Sequence, residues 1–178
     1  MRVRLLLLAI YLFNTYPSAF AVQTRFEILG EIFSIDLPSQ WQSAYGLYGI
    51  PLALLGPEKM QKRPFISITP AGVGNISFDQ KYMAVAQKGY QEGRERWLKR
   101  QGGTLIEHIP YQSLKWKGAT EVHALGFRYR LNEKKFTEST YYVVCNKKMF
   151  HFKTLLTAEH EKDYAIIVQT MLESFQCI

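Results

Sequence analysis

The stretch that most restricts the fold runs over residues 121–157. His123, Leu125, Phe127, Tyr129 and Leu131 recur at a spacing of two, with Gly126, Arg128 and Arg130 between them. That period places the two sets on opposite faces of one strand. A polar joint follows at 132–135, then apolar runs at 139–145 and 149–155, separated only by Asn146, Lys147 and Lys148. Parallel neighbours need a crossover of about a dozen residues or more, and joints this short cannot supply one. The segment predicts an antiparallel meander whose first strand is half-buried, and it rules out consecutive βαβ units here.

Earlier strands are expected at 33–37, 50–55, 65–69 and 104–109, with a strand or amphipathic lead-in at 25–31. In "FSIDLPSQW" Phe33, Ile35 and Leu37 share one face, and Ser34 and Asp36 share a wet one. Pro38 lacks the donor that would extend the ladder, so Trp41 can fold back as an aromatic lid. Residues 70–75 and 110–118 read as connections, because each opens on a proline and carries turn residues. A helix is expected over 78–99, opened by a Ser77/Gln80 capping box. Its apolar stripe is Tyr82, Ala86, Tyr90, Gly93 and Trp97, with Gly89 and Gly93 expected to allow close packing on the sheet. Gly102 and Gly103 stop it. A second helix is expected over 157–175, with Tyr164, Ile167, Val168, Met171, Leu172 and Phe175 on its apolar side. Strands, long helix, more strands and final helix together indicate an α+β domain: a mostly antiparallel sheet with two main helices against it.

Residues 1–21 have the form of a signal peptide. Arg2 and Arg4 precede an apolar run at 5–13, and Ala19-Phe20-Ala21 offers a cleavage site. Asn14, Thr15 and Pro17 interrupt the run before it reaches the roughly 20 residues that a membrane span needs. The expectation is a single domain at 22–178, released to the periplasm or secreted. Cleavage would remove two of the positive charges behind the formal net charge of +7. Cys145 and Cys177 would then reach a compartment where disulfides persist, and a bridge between them would pin the chain's end to the sheet.

Four stretches carry a family resemblance: "FSIDLPSQW", "RPFISITPAG", "ATEVHALGFRYRL" through "YYVVCNKKMFHFKTLL", and "YAIIVQTMLESF". In this order they resemble the PsbP/Mog1/DcrB-like superfamily, an αβα-sandwich fold, and the signal segment makes exported bacterial members the nearest likeness. The resemblance implies binding, assembly or envelope maintenance and no single shared reaction.

The chemistry-bearing residues point the same way. There is no G-x-S-x-G, H-E-x-x-H or phosphate-binding glycine loop, and the cysteines do not form C-x-x-C. No catalytic residue, metal site or cofactor is expected. His160 sits among Glu159, Glu161 and Asp163, where neighbouring helix residues do not converge on one point, and it reads as part of an exposed helix start. Lys115, Trp116, Lys117, Arg128 and Arg130 form an interleaved basic and aromatic set. They are the candidate contacts for an acidic envelope protein or an anionic membrane surface; export argues against nucleic acid. A second reading is a small-molecule cleft, or an unrecognised hydrolase, built from Trp41, Tyr45, Tyr48 and His123. The favoured function is a non-catalytic periplasmic interaction or envelope-maintenance protein.

Overall fold

A two-residue joint of the commonest twisted kind needs both central residues in the left-handed region, and Asn132 (φ 48°) and Glu133 (φ 64°) adopt it. They fold the first two strands of the meander into a hairpin. The computed structural model describes residues 21–59, 61–73, 80–145 and 147–178. The signal segment at 1–20, Ser77 of the capping box and Asn146 of the second joint lie outside the described residues.

In chain order the elements are β1 (Ala21–Ile28), β2 (Glu31–Pro38), β3 (Gln42–Leu47), β4 (Ile50–Leu55), β5 (Phe65–Val73), α1 (Gln80–Arg100), β6 (Thr104–Leu114), β7 (Glu121–Leu131), β8 (Lys134–Cys145), β9 (Lys148–Thr157), α2 (Ala158–Glu173) and β10 (Gln176–Cys177). A seven-stranded sheet has the order β3-β4-β5-β9-β8-β7-β6, and a three-stranded sheet has the order β1-β2-β10. Every strand pairing in both is antiparallel. After β5 the chain crosses with α1 to the far edge at β6. It then meanders back until β9 closes against β5.

Both faces of the large sheet are covered, which gives the sandwich. On one face Leu98, Tyr90 and Trp97 of α1 pack on Phe127 and Tyr129 of β7. The Trp97 ring meets the Phe127 and Tyr129 rings edge-on, with centroids 6.5 and 5.6 Å away. The other face carries the main core. Leu52, Leu54, Ile66, Ile68, Phe150 and Phe152 lie under Val168, Met171 and Leu172 of α2 and under Phe26, Phe33 and Ile35 of the small sheet.

Several expectations change. β7 is buried on both sides from Val122 to Phe127, so it is not half-wet. α1 packs on its Phe127 and Tyr129 side, and α2 lies over the Arg128 side. β5 runs on through Pro70, which sits at a register shift between Pro70 and Gly72. β6 runs through Pro110, again at an irregularity, between Ile109 and Gln112. A proline lacking its N–H is tolerated at a bulge, and β6 is an edge strand besides. Ser34, expected on a wet face, is buried because β2 is the middle strand of the small sheet. Among the described residues nothing approaches Gly89 or Gly93 within 4 Å, so no close contact there uses them. Trp41 does close the end of β2: its N–H donates to the Pro38 carbonyl at 2.8 Å and its ring lies in the core.

The Cys145–Cys177 disulfide is present, with Cα atoms 5.8 Å apart. It ties β10 to the end of β8. Gly118 assists, since a Cβ there would come within 2.2 Å of the Phe175 carbonyl oxygen. The closed loop spans 32 residues in sequence, which on the chain-entropy account stabilises the native state by about 3–4 kcal/mol. Replacing both cysteines with alanine is expected to lower the unfolding free energy by about that much. Urea denaturation at equilibrium measures it; an unchanged midpoint and slope would show that the bridge contributes nothing.

Candidate ligand groove

The groove lies between α2 and the β6–β8 half of the large sheet. Alternation puts Thr137, Ser139 and Tyr141 of β8 on the α2 side, with Thr154 and Leu156 of β9 beside them. Val168 and Leu172 of α2 form one wall; Ile109, Gln112 and Leu114 of β6 form the other. The enclosed space is about 340 Å³, within the range of small-ligand sites. Its floor therefore presents three hydroxyl groups and the Tyr141 phenol between aliphatic walls. Burial pushes the Tyr141 phenol above its ordinary range, so it stays neutral.

One end is built from charge. Arg128 Nη2 donates to Glu161 Oε1 at 3.1 Å, and Arg128 Nη1 also donates to Glu107. Thr137 Oγ1 donates to the other Glu161 oxygen at 2.8 Å. Both carboxylates hold the Arg128 guanidinium above its ordinary range, Glu107 most strongly. This cross-link joins β6, β7, β8 and α2, and it occupies the arginine. Lys115 supplies a cation at the groove lining, while Glu173 supplies a carboxylate on α2.

Of the expected partner-binding set, the groove gathers Lys115, Trp116 and Arg128. Trp116 is only 6% exposed. It stacks on Phe152 (centroids 6.0 Å, interplanar 21°) and meets Phe175 and Tyr141, so it is a wall and not a protruding contact. Lys117 and Arg130 are exposed and line no part of the groove. The alternative set does not converge. Trp41 lies in the main core, Tyr45 lies on edge strand β3, and Tyr48, 93% exposed, lies in the turn beyond it. His123 lies on β7, across β4, β5, β9 and β8 in sheet order. No cleft shared by these four residues is formed, so that version of a small-molecule or hydrolase site is withdrawn.

His123 is instead buried in a polar pairing at the sheet's edge. Its Nδ1 lies 2.6 Å from Tyr111 Oη, its Nε2 lies 3.2 Å from Glu121 Oε2, and its ring stacks on Tyr111. Both ring nitrogens are engaged. The face under α1 holds a second polar cluster that sequence reasoning did not foresee. Arg94 Nη2 donates to Glu138 Oε2 at 2.6 Å, and Lys153 Nζ lies 3.8 Å from Glu138 Oε1. The Arg94 guanidinium lies over the Trp97 and Phe127 rings. His160, expected to be exposed, is 2% exposed. Thr157 caps α2 by accepting from the His160 N–H. Among the described residues, no group of three His, Cys, Asp or Glu is placed to hold a metal ion, and no helix is long and apolar enough to cross a membrane.

The fold is PsbP-like: an antiparallel sheet sandwiched between α1 on one side and α2 with a small sheet on the other. The solution structure of cyanobacterial PsbP (CyanoP) from Synechocystis sp. PCC 6803 is similar over 94% of this chain and 99% of that one, with TM-score 0.58 and 12% identity. The crystal structure of LpqN, involved in cell envelope biogenesis of Mycobacterium tuberculosis, is similar over 87% of this chain and 90% of that one, also with TM-score 0.58 and 12% identity. No protein-family model and no curated protein sequence matches the chain.

Glu138 gives a test of the α1 face. Burial raises its carboxyl above the ordinary value of 4.5, against the pull of Arg94 and then Lys153. The folded state thus binds the proton more tightly than the unfolded state, and stability falls as pH rises through the window above 4.5. Subtracting the pH profile of Glu138→Gln from that of the wild type is expected to leave such a declining difference in melting temperature. A flat or rising difference would contradict it.

Proposed function

We propose that this is a non-catalytic, exported protein of the cell envelope that holds an acidic segment of a partner in the groove beside α2. The observation carrying this reading is the groove itself, about 340 Å³ with aliphatic walls and a hydroxyl floor. Apolar walls with a few placed polar groups suit binding. Ser139 and Thr137 are the hydroxyls nearest a role in catalysis, yet no histidine or cysteine lines the groove among the described residues. Thr137 already donates to Glu161, which Arg128 neutralises. Lys115 at the lining, with Lys117 exposed nearby in sequence, supplies the preference for acidic partners.

The envelope setting rests on two supports. One is the signal-peptide form of residues 1–21. The other is likeness in fold to LpqN, a protein involved in cell envelope biogenesis. Fold alone does not choose a partner, so the site must.

A photo-crosslinking residue at Gln169, on the α2 wall, is expected to capture a discrete partner from envelope extract; the same residue at Tyr48, remote from the groove, is not. The Lys115→Glu, Lys117→Glu double variant should weaken capture about tenfold at low salt, with a smaller effect at high salt as exposed charges are screened. Equal capture from both positions, or none with folded protein, would overturn the groove reading.

Export has its own readout. Fractionation followed by N-terminal sequencing should find a chain beginning at Val22 in the envelope or secreted fraction. A chain retaining residues 1–21 in the cytosol would overturn that half of the proposal.

A further inference from the structure

We propose a second binding site, independent of the groove, in which Lys59, Lys62 and Lys134 hold a phosphate group at the start of α2. The three lysines come from two separate turns. Lys59 and Lys62 flank a tight loop between β4 and β5, closed by backbone bonds from the Lys59 N–H to the Lys62 carbonyl (2.8 Å) and back (3.1 Å). Lys134 is the first residue of β8, set by the left-handed pair Asn132 and Glu133. With Thr157, Glu159 and His160 they line a cavity of about 100 Å³. That lies well below the roughly 300–1,000 Å³ of sites for larger ligands, and it suits one tetrahedral anion.

Two further features favour an anion. The helix N-terminus presents the positive end of the α2 dipole. His160 is 2% exposed, lines the same cavity and bonds the Lys59 backbone, and its Nδ1 has no hydrogen-bond partner among the described residues. A buried polar atom left in that state is costly, and a protonated phosphate oxygen is a donor able to satisfy it.

The charges around the cavity do not cancel. Lys59 is paired with Asp163. Among the described residues Lys62 and Lys134 have no carboxylate partner. Lys62 lies over the Phe136 ring, 5.0 Å from its centroid. Burial and the neighbouring Lys134 push its ammonium below the ordinary range, and the charge of Glu159 opposes that shift without cancelling it. Glu159 is the opposing group. Its own backbone N–H and the Thr157 hydroxyl keep its carboxylate ionised, and it would repel a bound phosphate.

The test is thermal unfolding and calorimetric titration with sodium phosphate, against sodium chloride at matched ionic strength. The wild type should be stabilised saturably by phosphate. Lys62→Gln with Lys134→Gln should weaken phosphate binding at least tenfold, yet melt no lower, and higher if repulsion dominates, in its absence. Glu159→Gln should tighten it. If the double variant does not fold by circular dichroism, Lys134→Gln alone, at an exposed turn, gives the same reading. No saturable effect on the wild type, or an equal effect on the variants, overturns the site. Vesicle flotation separates the sources. Binding to phosphatidic-acid but not phosphatidylcholine vesicles, competed by free phosphate and lost in the lysine variants, assigns a lipid headgroup. Phosphate binding without flotation assigns soluble phosphate. Neither result depends on crosslinking at Gln169.

Discussion

The aromatic cluster around Phe33, Phe152 and Phe175 is the contact on which the arrangement depends. Phe175 lies 5.4 Å from Phe33 and 5.3 Å from Phe152, centroid to centroid, so one ring joins the end of α2, the small sheet and the large sheet. Trp116 adds a fourth surface by stacking on Phe152 and leaning on Phe175. Buried aromatic pairs of this kind add about 0.5–1.5 kcal/mol each beyond their area. The Cys145–Cys177 bridge and the Ser174 hydroxyl, which accepts from the Asp36 N–H at 2.8 Å, close the same junction. This fixes the C-terminal end of α2.

Fixing only that end would leave the helix free to settle flat on the sheet. Its N-terminal half is held by different forces: the Thr157 cap, the Lys59–Asp163 pair and the Arg128–Glu161 bond. Between these anchors the floor is Thr137, Ser139 and Thr154, whose side chains are too short to fill the space that Ala165 and Val168 leave above them. The groove follows from helix placement and strand composition together. An aromatic at position 139 would fill it.

What could be read from the sequence followed from where the physical signal is local. Alternation, two-residue turns and helical period are short-range properties, and the β7–β9 meander and both helices emerged from them; the disulfide pair came from the export signal instead. The small sheet did not, because β10 is two residues long and has no period to detect. Nor did the second buried face of β7. Arg128 there looks solvent-facing until Glu107 and Glu161 are brought to it from β6 and α2. Trp116 misled for a related reason. A tryptophan between two lysines reads as a surface contact, yet in the segment just after β6 the ring packs into the core on Phe152 and Phe175 while both lysines stay exposed. The lysine cavity was invisible for the same cause at larger scale, since the loop carrying residues 59 and 62 is far in sequence from residues 134 and 160.

The distribution of charge separates the two candidate sites. At the groove the strongest cation, Arg128, is already spent on two carboxylates, and that cross-link ties β6 and α2 to β7. A partner there gains affinity from apolar walls and hydroxyls, with Lys115 as a guide at the rim. At the start of α2 the balance is reversed: among the described residues Lys62 and Lys134 face one another with no ion-pair partner of their own, opposed only by the Glu159 charge, beside an imidazole whose Nδ1 is unsatisfied. Self-repulsion of that kind lowers stability unless an anion occupies the gap. A surface that already satisfies its charges is suited to recognising shape and polarity, whereas one that leaves cations unneutralised is suited to capturing a small anion. Two sites along one helix thus present two different chemistries.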